Sequence, residues 1–279
     1  MSGWHFRLRQ PPALRVDLRG VTPAALASLA TAEVEKFQVG HGNSMLALAE
    51  FFDIAPDPRD DGALHFEGNL ERFDRIGWQM DSGRIRVEGH AGHYAGGCMR
   101  AGELRITGSA GLLAACEMAG GALTVDGNVG DFAASTLPGS MDGMRGGALV
   151  VGGHAGERFG DRMRRGVAVV HGNVGAFAAS RMVAGTIALG GGAGPHLGYG
   201  MRRGSVVLAS DGAAAALQAC AALPVFISNR TPTPVFWALL ARDLARHGGA
   251  FAALSARSIQ RYLGDLSADG KGELIFVSS

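Results

Sequence analysis

Short stretches of alternating apolar and polar residues recur along the middle of the chain. Each follows the pattern Gly-x-aliphatic-x-aliphatic-x-Gly, as in Gly121-Ala-Leu-Thr-Val-Asp-Gly127. The opening glycines lie 19 residues apart in two runs, which are Gly83, Gly102 and Gly121, then Gly147, Gly166, Gly185 and Gly204. Because side chains alternate between the two faces of a strand, a period of two predicts one short strand per repeat, with both aliphatic residues pointing inward.

A repeat of 19 residues with this many glycine corners is too short for a pair of helices. It fits one coil of a stack in which parallel strands lie ~4.8 Å apart. We therefore predict an all-β solenoid, a single-stranded parallel β-helix with small α+β caps at both ends. The predicted boundaries are an N-terminal cap over residues 1–61, seven coils and a partial eighth over 62–210, and a C-terminal capping segment with a helix over 211–279.

The flanking segments show weaker patterns. Before the repeats, they predict strands at Trp4–Arg9, Leu14–Leu18 and Glu33–Val39, and a short helix from Thr22 to Ala30. After the repeats, they predict a helix or ordered lid over Ala213–Ala222, strands at Leu223–Ser228 and Leu274–Val277, and a helix over Pro234–His247 with Phe236, Leu239, Leu240 and Leu244 on one side.

Two columns of residues stand out within the repeats. Seven of the ten methionines fall three residues before the next repeat, and we interpret them as adaptable core filler. The eighth position carries mainly Asn, His and Ser, which predicts a hydrogen-bonded ladder along one corner. His90 and His154 are too far apart in this column to form a metal site.

Composition argues against several classes of protein. The formal net charge is +1, so a protein that mainly binds nucleic acid is not indicated. Three cysteines are too few for a disulfide framework. No apolar run approaches ~20 residues, so a membrane-spanning helix is not expected. The first residues lack the pattern of a secretory signal, so we expect a cytoplasmic protein.

Catalytic motifs are absent from the sequence. The glycine-rich stretch Gly190–Gly194 lacks the Lys-Ser/Thr and the helix start of a phosphate loop. Asp60, Asp61 and Asp265 are expected to be turn or capping residues. We therefore predict no catalytic residue and no metal ligand in this chain.

Two surfaces are candidates for binding. Eight arginines next to the methionine column are expected at one edge of the molecule, namely Arg100, Arg145, Arg162, Arg164, Arg165, Arg181, Arg202 and Arg203. Five of them, Arg145, Arg164, Arg165, Arg202 and Arg203, form the arginine edge that we take as the candidate contact. Arginine forks suit carboxylates, so this edge is a possible contact for an acidic partner, with a solvated edge as the alternative. At the outward fourth position the later repeats carry Val150, Val169 and Val207, which predicts a face covered either by the C-terminal helix or by a partner.

The sequence resembles a known family. The Gly-x-aliphatic-x-aliphatic-x-Gly units resemble the C-terminal β-helix domain of glutamate synthase. With Val39-Gly-His-Gly-Asn43, Glu50-Phe-Phe-Asp53 and the tail Arg261-Tyr-Leu-Gly-Asp265 and Gly270-Lys-Gly-Glu273, nearly the full chain resembles the C-type subunit of formylmethanofuran dehydrogenase, and most of all that of the bacterial formyltransferase/hydrolase complex.

The resemblance implies a non-catalytic structural subunit of a one-carbon complex. Such a complex transfers a formyl group from formyl-tetrahydromethanopterin to methanofuran and hydrolyses the product to formate. Methanofuran and the hydrolase metal are then expected in partner subunits, with no cofactor in this chain, and the polyglutamyl tail expected of methanofuran becomes a second candidate ligand for the arginine edge. The alternatives are a glutamate-synthase-type partner of a glutamine-dependent enzyme, the C-type subunit of a true formylmethanofuran dehydrogenase, and a free-standing enzyme.

Overall fold

The N-terminal part of the chain supplies short strands and helices around aromatic side chains. The computed structural model describes residues 3–59, 61–210 and 225–278. The first elements are β1 (Trp4–Leu8), β2 (Val16–Asp17), α1 (Pro23–Leu26), α2 (Thr31–Glu35), β3 (Gln38–His41), β4 (Ser44–Ala47), a 3-10 turn (Leu48–Glu50) and β5 (Phe52–Pro56). The prediction of a strand over Glu33–Val39 is wrong for its first half. The Glu33 carboxylate accepts the Ala30 N–H at 2.7 Å and so starts α2.

The repeats form parallel strands in a common register, interrupted by a bulge between Arg145 and Ala148. They are β6 (Leu64–Glu67), β7 (Phe73–Asp74), β8 (Arg84–Glu88), β9 (Glu103–Ile106), β10 (Ala122–Val125), β11 (Arg145–Val151), β12 (Arg165–Val170), β13 (Thr186–Leu189) and β14 (Ser205–Leu208). Apart from β7, these strands pair in chain order, and Leu104 lies between Ile85 and Leu123, its equivalents in the neighbouring repeats. A second line of parallel bridges joins the ninth positions, from Leu70 to Ala193.

The C-terminal part extends the same sheet. Its elements are β15 (Ile227–Asn229), α3 (Pro234–Ala245), 3-10 turns at Gly249–Phe251 and Leu254–Ala256, β16 (Ser258–Gly264), a 3-10 turn at Leu266–Ala268 and β17 (Gly272–Ser278). β17 pairs in parallel with β14, while β16 and β15 follow as antiparallel strands. The helix or lid predicted over Ala213–Ala222 lies outside the described residues, as does the start of the strand predicted from Leu223.

The prediction of an all-β, single-stranded parallel β-helix is wrong as a fold class. Among the described residues, thirteen strands form one large mixed sheet in the order β15-β16-β17-β14-β13-β12-β11-β10-β9-β8-β6-β1-β5, and four form a second sheet in the order β4-β3-β2-β7. The repeat pattern reports only on the interior parallel strands. The antiparallel strands at both edges, the second sheet and the helices come from non-repeating sequence, which carries no such signal.

The far side of each repeat consists of turns rather than strands. Residues with a left-handed backbone conformation, such as Leu113 (φ 61°) and Ala115 (φ 54°), alternate there with residues of ordinary conformation. This conformation costs about 1 kcal/mol or more for a residue with a Cβ. Hydrogen bonds between repeats offset the cost: the Ala115 N–H donates to the Ala95 carbonyl at 2.8 Å, and the Ala134 N–H to the Ala114 carbonyl at 2.8 Å.

One continuous apolar core runs through the repeats. The inward third and fifth positions and the methionine column are buried, including Met99, Met118 and Met144. None of the helices in the described part of the chain is long and apolar enough to cross a bilayer.

Candidate partner-contact surface

The arginine edge is produced by the stacking of repeats. Each residue after the methionine column donates its N–H to the methionine carbonyl of the previous repeat, with distances of 2.8 Å for Arg164 to Met144 and 2.8 Å for Arg202 to Met182. These bonds place equivalent residues one above the other. The five arginines predicted for this edge therefore lie along one corner of the molecule.

Four of the arginines line a surface cleft. Arg145, Arg164, Arg165 and Arg203 surround a cleft of about 410 Å³ whose floor includes Val183 and Ala184. The cleft exists because one repeat carries short side chains where its neighbours carry arginine pairs. The geometry leaves room for a ligand group between the guanidinium ends.

The arginines of the edge differ in their pairing. Arg145 lies 3.6 Å from a Glu117 carboxylate oxygen, and Arg164 pairs with Asp142. Arg165, Arg202 and Arg203 are exposed and form no ion pair within the described residues. Three positive charges thus stand in the same corner without neutralisation, which suits an acidic ligand.

The prediction that Arg162 and Arg181 belong to the same edge is wrong, because both pair with a buried carboxylate. Arg181 and Arg162 lie 3.3 and 3.8 Å from the oxygens of Asp161, a carboxylate that is almost wholly buried. Asp161 also accepts a hydrogen bond from Ser180. This group stabilises the fold, so the free arginine edge begins on the other side of the methionine column.

The outward valines lie under the C-terminal segment. Val169 and Val207 are fully buried in a second apolar cluster, and Val150 packs at its margin. α3 contributes Trp237, Ala241 and Leu244 to this cluster; Phe251, Leu254, Ile275 and Val277 follow from later elements. The cluster occupies the outer face of the later strands, opposite the main core.

Of the four residues predicted on the buried side of α3, Leu244 is buried and Leu240 packs partly buried against the cluster, but the prediction is wrong for Phe236 and Leu239. The sequence pattern turns Phe236 and Leu239 toward the repeats, but these side chains are 41% and 48% exposed. The helix turns Trp237, Ala241 and Leu244 inward instead, a stripe at positions i, i+4 and i+7.

The corner ladder uses side chains and backbone together. The His90 Nδ1 accepts the Ser109 N–H at 3.0 Å, the Ser109 hydroxyl accepts the Asn128 N–H at 3.0 Å, and the Asn128 Oδ1 accepts the His154 N–H at 2.7 Å. The His154 Nδ1 continues the series by accepting the Asn173 N–H at 2.9 Å. In both histidines the backbone hydrogen bond occupies the Nδ1 lone pair that a metal ion would otherwise use.

The tail motif locks the C-terminal hairpin to the last repeat. The Asp265 Oδ2 accepts the Gly200 N–H at 2.8 Å, its Oδ1 accepts the Ser267 N–H at 2.8 Å, and its own N–H donates to the Met201 carbonyl at 3.0 Å. Arg261 pairs with Glu273 across β16 and β17. Asp265 is thus a capping residue, as predicted, and it occupies a hydrogen-bonding position that the next repeat would otherwise fill.

The structure brings together one polar cluster that the sequence does not indicate. Asp57, Asp61 and His65 place one ligand atom each within 4.8 Å of one another. The first two belong to a non-repeating turn, so no spacing rule connects them to a histidine on β6. The sequence marks Asp61 only as a turn residue, and its side chain does accept the Ala63 N–H at 3.0 Å.

No family model matches the chain. The C-type subunit of the formyltransferase/hydrolase complex Fhc of Methylorubrum extorquens is 44% identical over 87 residues, which are 31% of this chain and 32% of the relative. The C-type subunit of the tungsten-containing formylmethanofuran dehydrogenase 2 of Methanothermobacter thermautotrophicus is 30% identical over 91 residues, or 32% of this chain and 34% of the relative. The matched segments thus span about a third of the length of these curated relatives.

A solved structure matches over a much longer range. It is the X-ray structure of the formyltransferase/hydrolase complex FhcABCD from Methylorubrum extorquens in complex with methylofuran. One of its chains superimposes with a TM-score of 0.86 and 41% identity, covering 99% of this chain and 100% of that one. On this full-length match, and on the segment shared with the curated relative, the chain belongs to the family of the C-type subunit of the formyltransferase/hydrolase complex, which is related to the C-type subunit of formylmethanofuran dehydrogenase.

Proposed function

We propose that this chain is a non-catalytic subunit that helps to assemble a formyltransferase/hydrolase complex. In such a complex, formyl groups pass from formyl-tetrahydromethanopterin to methanofuran and are released as formate. The observation that carries the proposal is the match at 41% identity along the whole of a chain in a solved complex of this kind. Partner subunits would supply the catalytic groups and the hydrolase metal, while methanofuran or a close analogue would be the carrier.

The arginine edge supports a binding role in this proposal. Arg165, Arg202 and Arg203 are exposed and lack ion pairs within the described residues. Guanidinium groups bind carboxylates through paired hydrogen bonds. We assign to this edge the carboxylates of a partner subunit, with the polyglutamyl tail of the carrier as the second candidate.

Co-expression with the three remaining subunits tests the assembly role. We expect one complex containing all four chains in size-exclusion chromatography with light scattering, and formyl-group hydrolysis only when the partners are present. A chain that stays monomeric beside its partners, or that alone releases formate from formylmethanofuran, would contradict the proposal. Molybdenum or tungsten together with iron–sulfur clusters in the purified complex would instead support the dehydrogenase alternative.

The arginine assignment is tested in the same complex. We expect the triple substitution of Arg165, Arg202 and Arg203 by Gln to weaken assembly, or to raise KM for the carrier, by at least about tenfold. A weakened assembly identifies a partner surface, whereas a raised KM in an intact complex identifies the carrier tail. The control replaces Arg7, Arg242 and Arg246 by Gln, which removes the same charge from other exposed sites. Equal effects of both triple variants would reject the assignment.

A further inference from the structure

A buried polar cluster joins the N-terminal part to the first repeat. His65 occupies the fourth position of the first repeat, on β6, and its side chain is only 2% exposed, whereas the equivalent Arg86 side chain is 40% exposed. Asp57 follows β5 directly, and Asp61 lies in the turn before β6. Two carboxylates and an imidazole therefore meet where the non-repeating chain enters the repeats.

Two of the three distances between the candidate ligand atoms are close to those between ligands of one metal ion, and all three lie within 4.8 Å. The His65 Nε2 lies 2.9 Å from Asp57 Oδ2 and 3.6 Å from Asp61 Oδ1. Zinc bonds of ~2.0–2.2 Å at tetrahedral angles place ligand atoms about 3.3 Å apart. The observed separations lie on either side of that value, so a small adjustment of the side chains accommodates an ion.

Two of the three ligand atoms have no partner outside the cluster. Asp57 Oδ2 and His65 Nε2 lie 2.9 Å apart without hydrogen-bond geometry, and neither they nor His65 Nδ1 has another hydrogen-bond partner. The residues Asp57 and His65 are 5% and 1% exposed. A buried polar atom without a partner is unfavourable. A cation between the three side chains would satisfy Asp57 Oδ2 and His65 Nε2 at once.

Surrounding arginines occupy the oxygens that do not face His65. The Arg59 Nε lies 3.2 Å from Asp57 Oδ1, and the Arg86 Nη1 lies 2.9 Å from Asp61 Oδ2. Each carboxylate thus gives one oxygen to a guanidinium and turns the other toward the imidazole. Ligating carboxylates commonly have such outer hydrogen bonds, which fix their orientation.

We propose that Asp57, Asp61 and His65 bind one divalent transition-metal ion of the zinc class, with water at the remaining position. Imidazole and carboxylate donors suit zinc, whereas an oxygen-only set would favour magnesium or calcium. The positive charges of Arg59 and Arg86 oppose the cation, so we expect a weaker site than one built from thiolates. The ion would tie the turn before β6 to the first repeat and so stabilise the N-terminal part.

The test uses the full chain, purified without a histidine tag and treated with a chelator. After incubation with zinc sulfate and desalting, we expect elemental mass spectrometry to find about one zinc ion per chain, because the three ligands form a single site. Cobalt(II) added to the chelated protein should give visible absorption bands of a bound, low-symmetry ion. Zinc should raise the melting temperature of the wild-type chain.

Variants separate this site from weak binding by surface histidines. We expect His65→Gln to abolish zinc uptake, the cobalt bands and the melting shift, and Asp61→Asn to weaken zinc binding by at least about tenfold. Asp126→Asn, which removes a surface carboxylate elsewhere, should bind zinc like the wild type. Circular dichroism verifies folding; if His65→Gln fails to fold, the less buried Asp61→Asn variant decides. No uptake by the wild type, or equal uptake by the wild type and the folded site variant, would overturn the proposal and leave a metal-free His–Asp pair.

Discussion

The opening glycine and the methionine column depend on each other at the scale of single residues. A Cβ on Gly121 would lie 2.7 Å from Met99 Cε and 2.6 Å from the Gly102 carbonyl oxygen, and its backbone has φ +81°. Both columns are visible in the sequence. Their contact is not, because the methionine tip reaches the glycine that opens the second repeat after its own.

A single histidine, His93 at the eleventh position of its repeat, makes the stability of the fold depend on pH. The His93 Nδ1 accepts the Leu112 N–H at 3.0 Å, which requires an unprotonated Nδ1. Burial, and next the positive charge of Arg15, hold the pKa of His93 below its ordinary value although Asp74 and Glu71 oppose this. The unfolded chain therefore takes up a proton at higher pH than the folded chain does.

We predict that the free energy of unfolding falls as the pH drops from about 6.5, the ordinary histidine pKa, through the lower folded pKa. Above that window the contribution of His93 is constant. His93→Asn keeps an acceptor, as Asp131 does at the equivalent position, where it accepts the Glu157 N–H at 2.8 Å. Urea denaturation at about pH 7.5 and about pH 5.5, on either side of the ordinary histidine pKa, should show a smaller pH effect for this variant. The exposed His196→Asn serves as control, and the same slope in His93→Asn and the wild type would contradict the prediction.

At the scale of elements, the sequence predicts that a helix forms better than it predicts which face of the helix is buried. The pattern finds α3 and places its start at Pro234, but not which face it buries, because apolar residues occupy most of its circumference. Val235, Phe236 and Leu239 remain exposed while Trp237 packs inward. The valine surface of the later repeats determines which face of α3 is buried. That surface exists only once the strands are assembled, and its residues lie far from α3 in the sequence.

Substitution at the covered face tests this packing. Val169 is fully buried beneath the C-terminal segment. We expect Val169→Asp to lower the free energy of unfolding by roughly 3 kcal/mol or more, because apolar contact is lost and a charge is buried. Thr124→Asp places the same side chain at the same repeat position in the uncovered part, beside Arg105, and should cost little. Equal losses in urea denaturation would show that the cover contributes nothing.

At the scale of the whole molecule, the repeating part was predictable and the fold class was not. Strand positions, inward residues and the parallel order follow from a period of two within a period of 19 residues. The left-handed turns on the far side carry residues as varied as Leu113, Phe132 and Arg158, so they have no local signature. The antiparallel edges and the Asp57–Asp61–His65 cluster arise only when distant, non-repeating segments meet the stack.

The register itself yields a prediction for the whole chain. Deleting residues 102–120 removes one complete 19-residue repeat and brings Ile85 opposite Leu123, with every column preserved. Deleting Arg105 alone moves its neighbours to the opposite face of the strand. We expect the repeat deletion to give soluble protein with a cooperative thermal transition, and the single deletion to give aggregated or strongly destabilised protein. Similar damage in both would show that the repeats are not interchangeable units, because register conserved across a complete repeat would then confer no tolerance. A soluble, cooperatively folding repeat deletion would mean that the equivalent contacts between repeats, rather than the number of repeats, hold the sheet together.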